Sequence, residues 1–382
     1  MIESESNEES VLLNCLRSPQ TYDFNHPFDL DKLKSLCTYH RIRPQLYELL
    51  KANPHLPEGF KSYLKEHRKQ WTFRNLAFLR EAQTINHAFD NAGIDILFYK
   101  GGLLSQKIYG DFSIRESCDL DIIVPPNKLL QVGELLTELG YKISRDPELW
   151  GKEVFVKADS EIEWFNEEKQ ITIDLHWRPN HPRTGLNFSF VDCIKHAQVY
   201  EFQNHDFTVM QAEFTFLLLA CHRIKSPQRR LCHLLDLLTL SQKNTLDWNL
   251  IAQLSKEFDL QRVLSKTFTS ILAIDPEIKT PNAISKILPP NWQNDHILNE
   301  DSHPLKPFRE KDVSWFKKSL NFMLYSASNH DSVRKKISCN CYIFLRPSVE
   351  VMRKILLSPK LSYLYPLIIP FVYFQLALKK KN

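Results

Sequence analysis

The chain has 382 residues, room for two or three ordinary domains, and a composition of 43% hydrophobic and 25% charged residues that excludes wholesale disorder. The 49 Lys and Arg barely exceed the 45 Asp and Glu, so a net charge of +4 gives no broad cationic surface for tracking a long nucleic acid. Nine glycines against 21 prolines argue against a doubly wound enzyme with several Gly-rich loops, and for helices around a compact strand region.

The opening MIESESNEES is acidic and polar, unlike a signal or transit peptide. Residues 9–92 then read as helix almost throughout. One stretch covers 29–50, interrupted at Pro44, and a longer one covers 58–91, stopped by Asn91-Ala92-Gly93. At Ile94 the pattern changes. IDILFY is a short strand, followed by Lys100-Gly101-Gly102 and a helix to Tyr109. LDIIVP, 120–125, is a second strand, and a helix over 127–139 ends at Gly140. Three more strands are expected: EVFVK near 155, IEWF near 163 and ITIDLHW over 171–177. After about Met210 the chain is helical again, through FTFLLLACHRIK and RRLCHLLDLLTL to about residue 357, without internal repeats.

The fold class expected is therefore α+β: a small mixed β-sheet core flanked by N- and C-terminal helical regions. The boundaries run 1–93, 94–210, 211–357 and an apolar C-terminal segment, 358–382, with a basic end. The eight cysteines are irregularly spaced and form no CxxC pair, which indicates reduced thiols, no zinc site and a cytoplasmic protein.

The chemistry concentrates in the core. Asp119 and Asp121 bracket Leu120, and residues two apart on a strand point to one side. Two adjacent carboxylates repel unless a cation sits between them, and hard oxygen ligands suit magnesium. Asp174, flanked by apolar residues on another strand, brings a third carboxylate; such a set can hold two Mg2+ ions. Gly101-Gly102, between strand and helix, lets backbone N–H groups approach a phosphate, with Lys100 and Arg115 as nearby cations. Singly, each of these motifs also has a structural reading, as a chance DxD or a tight turn. Their order along the chain favours the metal site.

FYKGGLLSQKIYGDFSIRESCDLDIIV followed by IDLHW resembles the uncharacterised nucleotidyltransferase family of the DNA-polymerase-β-like superfamily. The superfamily's Gly-Gly turn, D-x-D strand and later acidic residue correspond here to Gly101-Gly102, Asp119-Leu120-Asp121 and Asp174. The family's Lys-Gly, Tyr-Gly and arginine ahead of the aspartates look like Lys100-Gly101, Tyr109-Gly110 and Arg115. The downstream helices look like those carrying His222, Arg230-Leu231 and Asp236-Leu237. The similarity is good over about 90–245. It implies transfer of a nucleoside monophosphate from an NTP such as ATP to a hydroxyl acceptor, with pyrophosphate released. Asp119, Asp121 and Asp174 would be catalytic and metal-binding, and Lys100, Gly101, Gly102 and Arg115 would hold the nucleotide. The acceptor is open: a small molecule, a sugar, an RNA end or a protein. The alternative is a non-catalytic nucleotide-binding or scaffold protein on the same fold.

Other residues carry two readings. His176 lies two after Asp174, hence on the same side, as a substrate contact or as packing. His222 precedes a basic turn of Arg223, Lys225, Arg229 and Arg230, as a substrate contact or as a solvated connection. Asp236 within LLDLLTL reads first as a buried structural partner of an arginine. Residues 361–378 are apolar and uncharged between Lys360 and Lys379-Lys380-Lys381, but short for a span and broken by Pro366 and Pro370. Peripheral membrane contact through 361–382, packing on the helical domain and contact with a partner are all open.

Overall fold

A computed structural model describes residues 7–225, 230–243, 245–290, 292 and 315–379. The strands are β1 (Leu97–Phe98), β2 (Leu120–Ile123), β3 (Lys142–Ile143), β4 (Glu161–Asn166), β5 (Ile171–His176), β6 (Ala197–Phe202) and β7 (His205–Met210). They make one mixed sheet, ordered β3-β4-β5-β2-β1-β7-β6. β2 pairs parallel with β5, and β1 parallel with β7, while the other pairs are antiparallel. Helices flank this sheet, so the chain is α+β. Among the described residues no helix is long and apolar enough to cross a membrane.

Strand alternation sorts the sheet residues into two cores. Leu97, Tyr99, Ile123 and Met210 join one core, with α1 (Asn7–Arg17), α2 (Leu30–His40) and α3 (Arg43–Leu50) from the start of the chain. α9 (Ala212–Lys225), α10 (Leu231–Gln242), α11 (Trp248–Phe258) and α12 (Gln261–Ile274) complete it. Phe98, Ile122, Val124, Ile173, Leu175, Phe207 and Val209 join the second core, closed in part by Val351, Met352 and Tyr365. The 34-residue helix α4 (Glu58–Asn91) serves both: Phe60 and Leu64 enter the first core, Phe78, Ile85 and Phe89 the second. Each core thus draws on residues from several stretches of the sequence.

Two local expectations are corrected. EVFVK is not a strand but part of helix α7 (Glu153–Ala158), where Val154, Phe155 and Ala158 are buried. That is i, i+1, i+4 spacing rather than alternation, and it overrides the β-branched content. Pro44 does not interrupt a helix; it sits in the first turn of α3, and the break falls before it at Arg41, whose φ of 52° is left-handed. The sheet also contains pairs the sequence did not announce. β6 and β7 form a hairpin turning through Gln203 and Asn204, at φ 51° and 59°, with no glycine to mark it.

Candidate active site

The site is built on the β2/β5 pair. Their parallel register sets Asp121 directly beside Asp174, and Ile123 beside His176. Asp121 shares the sheet face of Ile123, and Asp174 that of His176, toward the core containing α9 and α10. On the other flank of β5, antiparallel β4 sets Glu161 opposite His176 and Glu163 opposite Asp174. One face of three neighbouring strands therefore carries Asp121, Asp174, Glu161 and Glu163, with Asp119 at the entrance to β2. That is a large excess of carboxylate for one surface.

Buried Asp121 is the centre of the cluster. Its Oδ1 accepts from Lys100 Nζ at 3.1 Å and lies 3.2 Å from His176 Nε2. Although burial penalises its charge, these two cations hold Asp121 far below the usual carboxylate range. His176 lies between two carboxylates, its Nδ1 being 3.0 Å from Glu161 Oε2. Burial works against its charge, but Glu161 and Asp121 outweigh it and raise His176 to about 9. Near neutrality it is an imidazolium. Burial and the neighbouring aspartates push the remaining two carboxyls the other way, Asp119 to about 6 and Asp174 to about 7.

The expected metal set was Asp119, Asp121 and Asp174. The ligand atoms that lie within 4.8 Å of one another belong to Asp121, Asp174 and His176, a group that could hold a metal ion once His176 gives up its proton. Two of these three donors are carboxylates, and burial first, then repulsion among the aspartates, keeps Asp119 and Asp174 raised despite the nearby His176. The cluster fits a further hard cation.

Gly101 and Gly102 open helix α5 (Gly101–Tyr109), directly after Lys100. Gly101 has φ +75°, a conformation that strains other residues, and an added Cβ would meet nothing within 4 Å. At Gly102 a Cβ would sit 3.4 Å from the Phe112 carbonyl oxygen. No side chain caps this helix, leaving its first N–H groups for another acceptor.

Arg115 is buried and paired with a carboxylate on α10. Its Nε contacts both carboxylate oxygens of buried Asp236, at 3.0 and 3.1 Å, and Tyr109 donates to the same carboxylate at 2.8 Å. Asp236 is thus the buried partner of an arginine. His222 packs edge-on against His233, ring centroids 4.5 Å apart. Burial first, then Lys100 and Lys225, hold His222 well below its ordinary value, so it is neutral. Its Nδ1 is buried without a hydrogen-bond partner among the described residues. Lys225, at the end of α9, is lowered by burial and by Lys100, with Glu161, Asp121 and Asp174 acting in the opposite sense. Arg229 of the expected basic turn lies outside the described residues.

Two contributors carried no sequence signal that singled them out. Glu161 was hidden in a strand whose alternation, EIEWFN, does put it on the site face. Arg41 comes from the distant end of α2, yet its charge acts on Asp119. Its neighbours pin it: His40 Nδ1 accepts from Leu231 N at 3.3 Å, Ile42 is buried, and Arg43 pairs with Glu116.

The family model for uncharacterised nucleotidyltransferases matches residues 26–271, well over half of the chain. The chain belongs to that family. The match includes the sheet, the glycine turn, the aspartates and the helices bearing Arg41, His222 and Asp236. No curated protein matches the chain, and no solved structure does.

Proposed function

We propose that this family member moves a nucleoside monophosphate from an NTP, ATP among them, to an acceptor hydroxyl, releasing pyrophosphate. The observation that carries this reading is the in-register pairing of Asp121 with Asp174 on one sheet face, beside the uncapped Gly101-Gly102 helix start. Asp119, Asp121 and Asp174 would hold two Mg2+ ions, with His176 bracing Asp121. Bound there, divalent ions supply charge neutralisation at the α-phosphate and acidify the attacking hydroxyl. The acceptor oxygen forms a bond to the α-phosphorus as the bond to the β-phosphate oxygen breaks, and the hydroxyl proton passes to Asp174. Backbone N–H groups at Gly101 and Gly102 hold the phosphates, and Lys100, Lys225 and Arg41 meet the charge of the departing pyrophosphate. Arg115, fixed on Asp236, acts behind this line by holding the approach to Asp119. His222 offers an unpartnered Nδ1 to the acceptor or the base.

A second reading is favoured by one specific feature: Lys100 and His176 already satisfy Asp121 without a metal. A protein of this fold that binds nucleotide metal-free and does not turn it over would need nothing more. One experiment separates the two. Purified protein, Mg2+ and each α-labelled NTP are incubated with host-cell extract split into small molecules, RNA and protein, beside an Asp119→Asn/Asp121→Asn control. Label in one fraction, lost in the double variant, supports transfer and names the acceptor class. Label retained in the double variant overturns this site. Equal NTP binding with Mg2+ or EDTA and no label in any fraction favours the scaffold.

A further inference from the structure

Over residues 365–374, the C-terminal helix Tyr365–Lys379 divides its apolar residues between two opposite faces. Tyr365, Ile369 and Val372, at i, i+4 and i+7, are buried in the second core beside Val351 and Met352. The Tyr365 hydroxyl accepts from Leu357 N at 3.0 Å and donates to the Ile355 carbonyl at 3.2 Å. This face is committed to the protein. Leu367, Phe371 and Phe374, at the same spacing on the other side, are 77%, 60% and 64% exposed. The preceding turn, Pro359–Leu364, adds Leu361 and Tyr363, the latter 71% exposed.

The charges at the ends of this stripe select its occupant. Residues 355–382 contain Lys360, Lys379, Lys380 and Lys381 and no Asp or Glu. We propose that this face is a membrane-docking surface that lies in the plane of an anionic phospholipid bilayer. Leu367, Phe371 and Phe374 enter the boundary between headgroups and acyl chains, Tyr363 sits at headgroup level, and the lysines meet lipid phosphates. The helix lies on the bilayer and does not cross it, because its other face is held by the second core. A second copy fits poorly: antiparallel pairing of two stripes would bring Lys360 of one against the Lys379-Lys380-Lys381 end of the other, and parallel pairing would oppose like ends. Lysine is also depleted from protein interfaces.

The test is co-sedimentation of the full chain with phosphatidylcholine vesicles and with phosphatidylcholine–phosphatidylserine vesicles. Binding is expected on the anionic vesicles, weakening with salt, and at least about tenfold weaker on neutral ones. Leu367→Ser/Phe371→Ser/Phe374→Ser alters only exposed residues and should lose that binding while melting like the parent. Lys379→Gln/Lys380→Gln/Lys381→Gln, a second variant that changes only charge at the chain end, should weaken binding to the anionic vesicles alone. No sedimentation with anionic vesicles overturns the proposal, as does unchanged binding of the serine variant. So does sedimentation equilibrium showing that the serine variant turns a dimer into a monomer, which would assign the stripe to a second copy.

Discussion

Asp121 and Asp174 stand side by side, yet their surroundings treat them oppositely. Lys100 and His176 keep Asp121 ionised, whereas Asp174 is driven up to about 7 by burial and by Asp119 and Asp121. A carboxyl whose folded value lies above its unfolded 3.8 weakens the fold as pH rises through that window, because the unfolded chain ionises more readily. Asp174→Asn should therefore stabilise the metal-free protein at pH 8 by about 1–2 kcal/mol while abolishing transfer. Thermal melting in EDTA at pH 8 and pH 5 checks this: the gain should shrink at pH 5, and a loss of stability at pH 8 would contradict the charge assignment. A site residue that costs stability is what the proposed cation-binding cluster would require, since a bound cation would relieve the repulsion among its carboxylates.

At the scale of elements, the N-terminal helices hold the loop that delivers Asp119. Asn75 on α4 donates to the carbonyls of Phe112 and Arg115, at 3.1 and 2.9 Å. Arg68 reaches Ser113 Oγ at 2.6 Å and Asp111, and Arg43 on α3 binds the Glu116 carboxylate through its backbone and side chain. This clamp accounts for how a long connection between Gly102 and Asp119 can still place a carboxylate. His40 ties the same region to α10. Its Nδ1 accepts the N–H of Leu231, one of the donors a helix start leaves unsatisfied. Burial, then the charges of Arg223 and Arg230, lower His40 to about 4. A histidine whose folded value lies below 6.5 lends its full stability above that pH and loses it progressively as pH falls toward 4. Over that window the loss is about 2–3 kcal/mol. Urea unfolding of the parent and of His40→Gln, which keeps an acceptor but does not titrate, should show the parent's advantage at pH 7.5 narrowing by pH 5. Parallel pH profiles would exclude His40 as the cause.

For the whole molecule, described residues beyond the family match are stitched to the matched part. Tyr325 donates to the Ile224 carbonyl at 2.7 Å, next to Lys225. Lys266 reaches Asn329 at 2.8 Å, and Tyr342 donates to the Ala158 carbonyl at 3.0 Å. The two faces of the final helix predict opposite responses. Tyr365→Ala, in the core with two hydrogen bonds, should cost about 3–5 kcal/mol in urea unfolding. Phe371→Ala, on the exposed stripe, should stay within about 0.5 kcal/mol. Comparable losses would mean that both faces are packed.

What could be read along the chain was what depends on neighbours in sequence. Helix α4 announces itself by apolar spacing and its Gly93 stop, and β2 and β5 by short apolar runs. Gly101-Gly102, Asp119, Asp121 and Asp174 are visible because glycine and carboxylate inside such runs are costly without a purpose. EVFVK carries β-branched residues in a short apolar run yet packs as helix α7 through Val154, Phe155 and Ala158, and the β6–β7 hairpin carries no glycine because Gln203 and Asn204 adopt positive φ. Which residues meet was decided only by tertiary structure. The parallel β2/β5 register puts Asp121 beside Asp174, the antiparallel β4 brings Glu161 to His176, α10 ties Arg115 to Asp236, and α2 sends Arg41 toward Asp119. These are through-space charge contacts between residues far apart in the chain, and a local pattern carries no information about them. The same holds at the C-terminus: its composition is legible as apolar with a basic end, but only packing against the second core separates the face the protein keeps from the face it leaves exposed.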